Sequence, residues 1–92
     1  MNIRIRAFAD FRNDLGAETE LSVAEGTTVR NLLLRLAEDR RGFAKRIFDP
    51  EGELSEDVEL LIQGRNVRFL GGLETVLREG DCLFFFPHLS GG

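Results

Sequence analysis

The sequence predicts an α+β fold in which one mixed sheet curls around a single main helix. Three observations carry that expectation. Residues alternate between two faces near the start of the chain and again in its second half, and a continuous apolar run lies near its end. One stretch alone repeats its apolar residues at helical spacing. The chain has 92 residues and 10.4 kDa, which is enough for one core and too little for two. A single domain over residues 1–92 is therefore expected, with 87–92 as a flexible tail.

The elements follow in order. From Asn2 to Phe8, Ile3, Ile5 and Ala7 point one way and Arg4, Arg6 and Phe8 the other, as in a strand with one buried face. Asp10 to Ala17 is polar, contains Gly16 and reads as a connection. Glu18 to Val23 alternates again with Leu21 and Val23 inward, so the two strands form an antiparallel hairpin. Thr28 is placed to cap a helix, because its hydroxyl can accept a free first-turn N–H. Val29, Leu32, Leu33 and Leu36 then form one stripe, with Gly42 as a stop signal.

Phe43 to Phe48 adds a helical turn with Phe43 and Ile47 on one side, and Asp49-Pro50-Glu51-Gly52 is a turn by composition. Val58 to Gln63 is the third strand, with Val58, Leu60 and Ile62 inward and Leu61 outward. Gly64-Arg65-Asn66 turns the chain and Val67 to Phe69 reads as a short strand. Gly71-Gly72 breaks it. Cys82 to Phe86 is a continuous apolar strand that Pro87 ends, since proline cannot donate to a ladder. Hairpin, helix and further strands covered by that helix describe a β-grasp. Its expected core is Ile3, Ile5, Leu21, Val23, Val29, Leu32, Leu33, Leu36, Leu60, Ile62, Leu83 and Phe85.

Composition narrows the chemistry. The chain holds one cysteine and one histidine, too few for a disulfide framework, an iron–sulfur cluster or a structural zinc site. No resident cofactor or metal is expected, and a reducing, cytosolic location is the default. A net charge of −4 argues against general nucleic-acid binding. No apolar run reaches membrane-spanning length, so no membrane partner is expected. Eight Phe accompany no Tyr or Trp, so the aromatics supply bulk and no hydroxyl chemistry. Cys82 reads as a small packed thiol with nothing cationic close by. His88 and Lys45 read as surface residues, and Arg40-Arg41 as solvated.

Two features point to function. Gly91-Gly92 stands at the end of the sequence, and glycine averages about 7% of residues, so a chance pair there is rare. Without Cβ, a narrow channel can close around extended backbone. The pair suits a carboxylate delivered into another protein's active site. The second feature is the apolar outward set. Phe8, Leu61, Phe84 and Phe86 lie opposite the core residues of their strands and would form an exposed patch beside Pro87 and the tail. The competing expectation is that Phe43 to Phe48 folds over this patch.

Ordered motifs then add a resemblance that spans essentially the whole chain. Phe8-Ala9-Asp10-Phe11-Arg12-Asn13-Asp14-Leu15-Gly16 resembles the F-A-x-x-R-x-x-L-G opening of MoaD, the small subunit of molybdopterin synthase. Gly26-Thr27-Thr28-Val29 is similar to that family's helix start. Gly64-Arg65, Gly72-Leu73-Glu74-Thr75, Gly80-Asp81, Phe86-Pro87 and Gly91-Gly92 resemble its second half in order and spacing. The stretch from Ile47-Phe48-Asp49-Pro50-Glu51-Gly52 through Gly71-Gly72-Leu73-Glu74-Thr75 also looks like carriers that supply sulfur for cysteine synthesis. His88 and Leu89 stand where MoaD tails commonly carry a second proline and a valine, which predicts a slightly looser tail.

The resemblance to MoaD/ThiS-type ubiquitin-like proteins implies a sulfur carrier that is not itself an enzyme. An ATP-dependent activating enzyme would adenylate the Gly92 carboxylate, and sulfur would displace AMP to leave a thiocarboxylate. The large subunit of molybdopterin synthase is the first expected acceptor. Cysteine synthesis, thiamine synthesis and tRNA thiolation are alternatives with the same chemistry. A covalent modifier of protein lysines and a plain β-grasp adaptor are different classes.

Overall fold

The structure is a computed structural model that describes residues 1–88. Five strands form one mixed sheet in the order β2-β1-β5-β3-β4. These are β1 (Asn2–Ala7), β2 (Glu18–Ser22), β3 (Val58–Ile62), β4 (Arg65–Asn66) and β5 (Cys82–Pro87). The helices are α1 (Phe11–Leu15), α2 (Val29–Glu38) and α3 (Phe43–Ile47). β1 and β2 pair antiparallel with Ile3 opposite Leu21, as the hairpin expectation requires. β5 enters between the two halves, parallel to β1 (Ile5 opposite Leu83) and antiparallel to β3 (Leu60 opposite Phe85).

The alternation fixes what faces α2. Ile3, Ile5, Ala7, Val58, Leu60, Ile62, Leu83 and Phe85 are buried on one side of the sheet, against Val29, Leu32, Leu33 and Leu36. The β-grasp expectation holds. Thr28 caps α2 as expected, its hydroxyl accepting from Asn31 N–H at 3.2 Å. The segment after β4 is tied to the same helix end, because Val29 N–H donates to Thr75 O and Leu77 N–H to Thr27 O, both at 2.9 Å.

Several local expectations are corrected. Asp10 to Ala17 is no plain connection: it holds α1, whose Phe11 and Leu15 are buried. Five residues are too few to display a helical period, but their i,i+4 spacing places both side chains on one face. Arg46 fastens α1 to α3. It pairs with Asp10 and, at 3.1 Å, with Asp14, and its guanidinium carbon lies 3.7 Å from the Phe11 ring centroid.

Gly42 does not stop α2. The helix ends at Glu38 with Asp39 as its cap, and Gly42 makes the left-handed turn (φ +82°) into α3. The turn after β3 is Gln63-Gly64, both at positive φ, the two-residue geometry that matches strand twist. Arg65-Asn66 is therefore a strand and not part of the turn. Val67–Phe69 is a 3-10 turn instead of a strand, and Gly72–Glu74 is another. Leu21 is only half-buried because β2 is an edge strand. Arg40 is not freely solvated: its Nε donates to Asp14 O at 2.7 Å.

Candidate functional site

The uncovered face of the sheet follows from the same alternation that built the core. With Ile3, Ile5 and Ala7 turned inward, β1 presents Arg4 and Arg6 outward, and Phe8, the next residue, is tied to β5 by its N–H donating to Phe85 O at 3.0 Å. β5 presents Cys82, Phe84 and Phe86, and β3 presents Glu59 and Leu61. Strand register then sets the neighbours. Phe84 lies between Arg6 of β1 and Leu61 of β3, and Phe86 lies opposite Glu59. All four outward apolar residues expected from the sequence, Phe8, Leu61, Phe84 and Phe86, are half-buried and share this face.

The aromatic rings make a continuous surface. Phe8 and Phe86 stack with centroids 4.3 Å apart and planes 7° apart, and Phe84 lies 6.2 Å from Phe8. The guanidinium carbons of Arg6 and Arg12 each lie 5.8 Å from the Phe8 centroid. Phe8 therefore carries a cationic fringe. The Phe43 ring lies 6.4 Å from that of Phe85, on the opposite face, so α3 does not fold over the patch. Among the described residues, no helix covers Phe8, Phe84 or Phe86.

The other border of the patch is acidic. Glu56, Asp57, Glu59, Arg68 and His88 line an open groove of about 420 Å³ at the point where β5 ends. Pro87 is the last residue of β5, paired with Val58. His88 does not leave loosely, contrary to the expectation drawn from its place in the tail. Its N–H donates to Asp57 O at 2.8 Å, and its Nδ1 lies 2.7 Å from Glu59 Oε1. Gly91 and Gly92, the residues expected to carry the chemistry, lie outside the described residues.

Cys82 also departs from expectation. It is half-buried on the uncovered face, opposite Arg4 across the parallel pair. Burial pushes its thiol up, against the pull of Arg4 and Arg6. Lys45 is exposed, as expected. The sequence reading passed over Arg12, Asn66 and the pairing of Glu59 with His88. Glu59 shares its parity with Leu61, which was the available signal. Arg12 offered none, since its position depends on α1.

Among the described residues, no group of His, Cys, Asp and Glu could hold a metal ion. No helix among them is long and apolar enough to cross a membrane.

Comparison with known proteins places this geometry. Residues 5–92 match the ThiS family. The chain is 34% identical to small archaeal modifier protein 3 of Haloferax volcanii, covering all of both chains. It is 30% identical to the sulfur carrier protein CysO of Mycobacterium tuberculosis, again over the whole of both. The crystal structure of the Amycolatopsis orientalis BexX/CysO complex superposes with a TM-score of 0.77 at 27% identity, over 98% of this chain and 99% of that one. A β-grasp with one uncovered aromatic face, matched from residue 5 to residue 92, belongs to the ThiS/MoaD family of ubiquitin-like sulfur carriers.

Proposed function

We propose that this chain carries sulfur as a thiocarboxylate on Gly92, with Gly91 as the spacer that lets the tail enter a narrow channel. The supporting observation is the uncovered face of Phe8, Leu61, Phe84 and Phe86, which runs along β5 directly into Pro87. A terminal carboxylate offers little affinity by itself, so delivery requires a docking surface next to the tail. This face supplies one, with arginines on one border and acids on the other.

The chemistry belongs to partner enzymes. A carboxylate is a poor acyl donor, so an activating enzyme must first attach AMP to it, releasing pyrophosphate from ATP. A sulfur nucleophile then attacks the acyl carbon and AMP leaves. The resulting terminal sulfur is itself nucleophilic and passes to a second protein. The BexX/CysO complex of Amycolatopsis orientalis is a precedent for a protein similar to this chain assembling with a second protein.

We place the large subunit of molybdopterin synthase first among acceptors, because Phe8 to Gly16 and Phe86-Pro87 resemble MoaD. Two other destinations have specific support. Identity to CysO, together with Asp49-Pro50-Glu51-Gly52, supports sulfur delivery for cysteine synthesis. Identity to small archaeal modifier protein 3 supports a modifier whose activated Gly92 forms isopeptide bonds with lysines. Thiamine synthesis and tRNA thiolation would use the same carrier step.

The test is ATP–pyrophosphate exchange with the activating enzyme of the same organism, followed by intact mass. Replacement of one oxygen by sulfur establishes the carrier. Incubation of that product with each acceptor enzyme then identifies the destination. Isopeptide-linked peptides in cell digests identify the modifier. Failure of the wild type to support exchange or acquire sulfur overturns the reading.

A further inference from the structure

Three side chains meet where β5 hands over to the tail. Glu59 is the hub: Oε1 lies 2.7 Å from His88 Nδ1, and Oε2 accepts from Asn66 Nδ2 at 2.7 Å. Each partner comes from a different strand or strand end. Glu59 is held in β3 opposite Phe86, and Asn66 stands in β4 opposite Leu61. Asn66 is itself fixed, because its side-chain oxygen accepts from Arg68 N–H at 2.9 Å. A backbone bond from His88 N–H to Asp57 O closes the arrangement. His88 is thereby restrained at both its main chain and its ring.

We infer that Glu59 and Asn66 hold His88 as a clamp that fixes where and in which direction the tail leaves the sheet, making the three positioning residues for presentation of Gly92. The inference rests on the carrier reading above and adds the residues that aim the tail. Its physical basis is pre-organisation. Proline ends the ladder at 87 and supplies no N–H, so without a further tie the chain would rotate freely from Pro87 onward. Ordering each free residue on docking opposes binding through lost backbone entropy. The clamp removes that cost for residue 88 before any partner arrives. It also holds His88 at the end of the strand that carries Phe86, where a docked partner would sit. The carboxylate needs both remaining partners: it accepts from the ring on one oxygen and from the amide on the other. The groups that line the groove with His88 are Glu56, Asp57, Glu59 and Arg68.

The experiment measures pyrophosphate exchange against carrier concentration for the wild type, His88→Ala, Glu59→Ala and His88→Asn. Asparagine keeps a donor N–H near the position of Nδ1. The two alanine variants should raise the KM for the carrier by about threefold to tenfold with kcat unchanged, since a docked tail has the same carboxylate. His88→Asn should recover most of that loss. In parallel, the NMR backbone order of residue 88 should fall in Glu59→Ala while Phe85 and Leu83 stay rigid. Alanine variants with wild-type KM, or an Asn variant as poor as the Ala variant, overturn the clamp. A wild-type carrier that supports no exchange overturns the carrier reading instead. Equal order at residue 88 in wild type and Glu59→Ala overturns the clamp whatever the enzyme assay shows.

Discussion

Phe8, directly after β1, and Phe86 of the parallel neighbour β5 stack face to face at 4.3 Å, on the side of the sheet away from α2. Parallel neighbours with this parity bring two aromatic rings to the surface at one level. Their stacking flattens the patch and limits ring motion before any partner arrives.

That pair yields the first prediction. Phe86→Ala should weaken docking to the activating enzyme by about 1–3 kcal/mol, because it removes a rigid aromatic anchor from the centre of the surface. Stability should change far less, since Phe86 is only half-buried. Titration calorimetry and urea unfolding on the same variant measure both. A variant that loses stability but, where folded, binds normally would place Phe86 in the core.

Stability should instead reside opposite. Leu36→Ala removes a 2% exposed side chain under the sheet and should cost about 2–5 kcal/mol. Phe11→Ala should cost about 3–5 kcal/mol, because Phe11 is fully buried and its ring lies 6.0 Å from that of Phe85. If α1 were a loose connection, the second value would fall near zero. Urea midpoints at constant m distinguish the two.

The tail should carry chemistry without carrying stability. Deleting Gly92 should leave the unfolding midpoint unchanged and docking intact, because terminal residues make few contacts. It should still abolish productive adenylation, since the carboxylate stops about 3.3–3.6 Å short. Alanine added after Gly92 should fail by overshooting and by placing a methyl in the channel. Exchange and sulfur uptake at wild-type levels in both variants would contradict the assignment of Gly92.

Cys82 should react slowly. Burial raises its thiol above the ordinary range, so at about pH 8 its alkylation should lag behind that of a small free thiol. Arg4→Ala removes a cation that pulls the other way, and should slow the reaction further. Mass spectrometry over time reads both rates, and a faster reaction in the variant would reverse the assignment.

Parity made most of this legible from sequence. Alternation at Ile3/Ile5 and Leu60/Ile62 separates core from surface without knowledge of strand order, whereas in the continuously apolar β5 periodicity leaves the face open and the inward choice of Leu83 and Phe85 rests on the strand's central place in the sheet. The α2 stripe and its Thr28 cap were legible for a similar reason, since each is local. What escaped was set by tertiary contact. The five residues of α1 become a helix because Phe11 and Leu15 have a core to enter and Arg46 to hold them. The Gln63-Gly64 turn lacks the usual Asn-Gly or Asp-Gly signal. The link from Glu59 to His88 spans 29 residues and exists only once β3 and β5 pair.

The last strand of the chain sits in the middle of its sheet, and this governs how the molecule comes together. β1 and β2 can form a hairpin early, and β3 and β4 another, but only β5 joins them. Contacts such as Ile5 to Leu83 span most of the sequence, a topology that slows folding relative to a helical bundle of the same size. Until β5 arrives, β1 and β3 each expose a row of unpaired N–H and C=O groups flanked by apolar side chains, which invites association with other chains. A fragment cut before Cys82 would therefore be an aggregation hazard. The strand that leads to the tail is the one that completes the fold, so a chain that stops before β5 fails as a folded protein before any use of its tail arises.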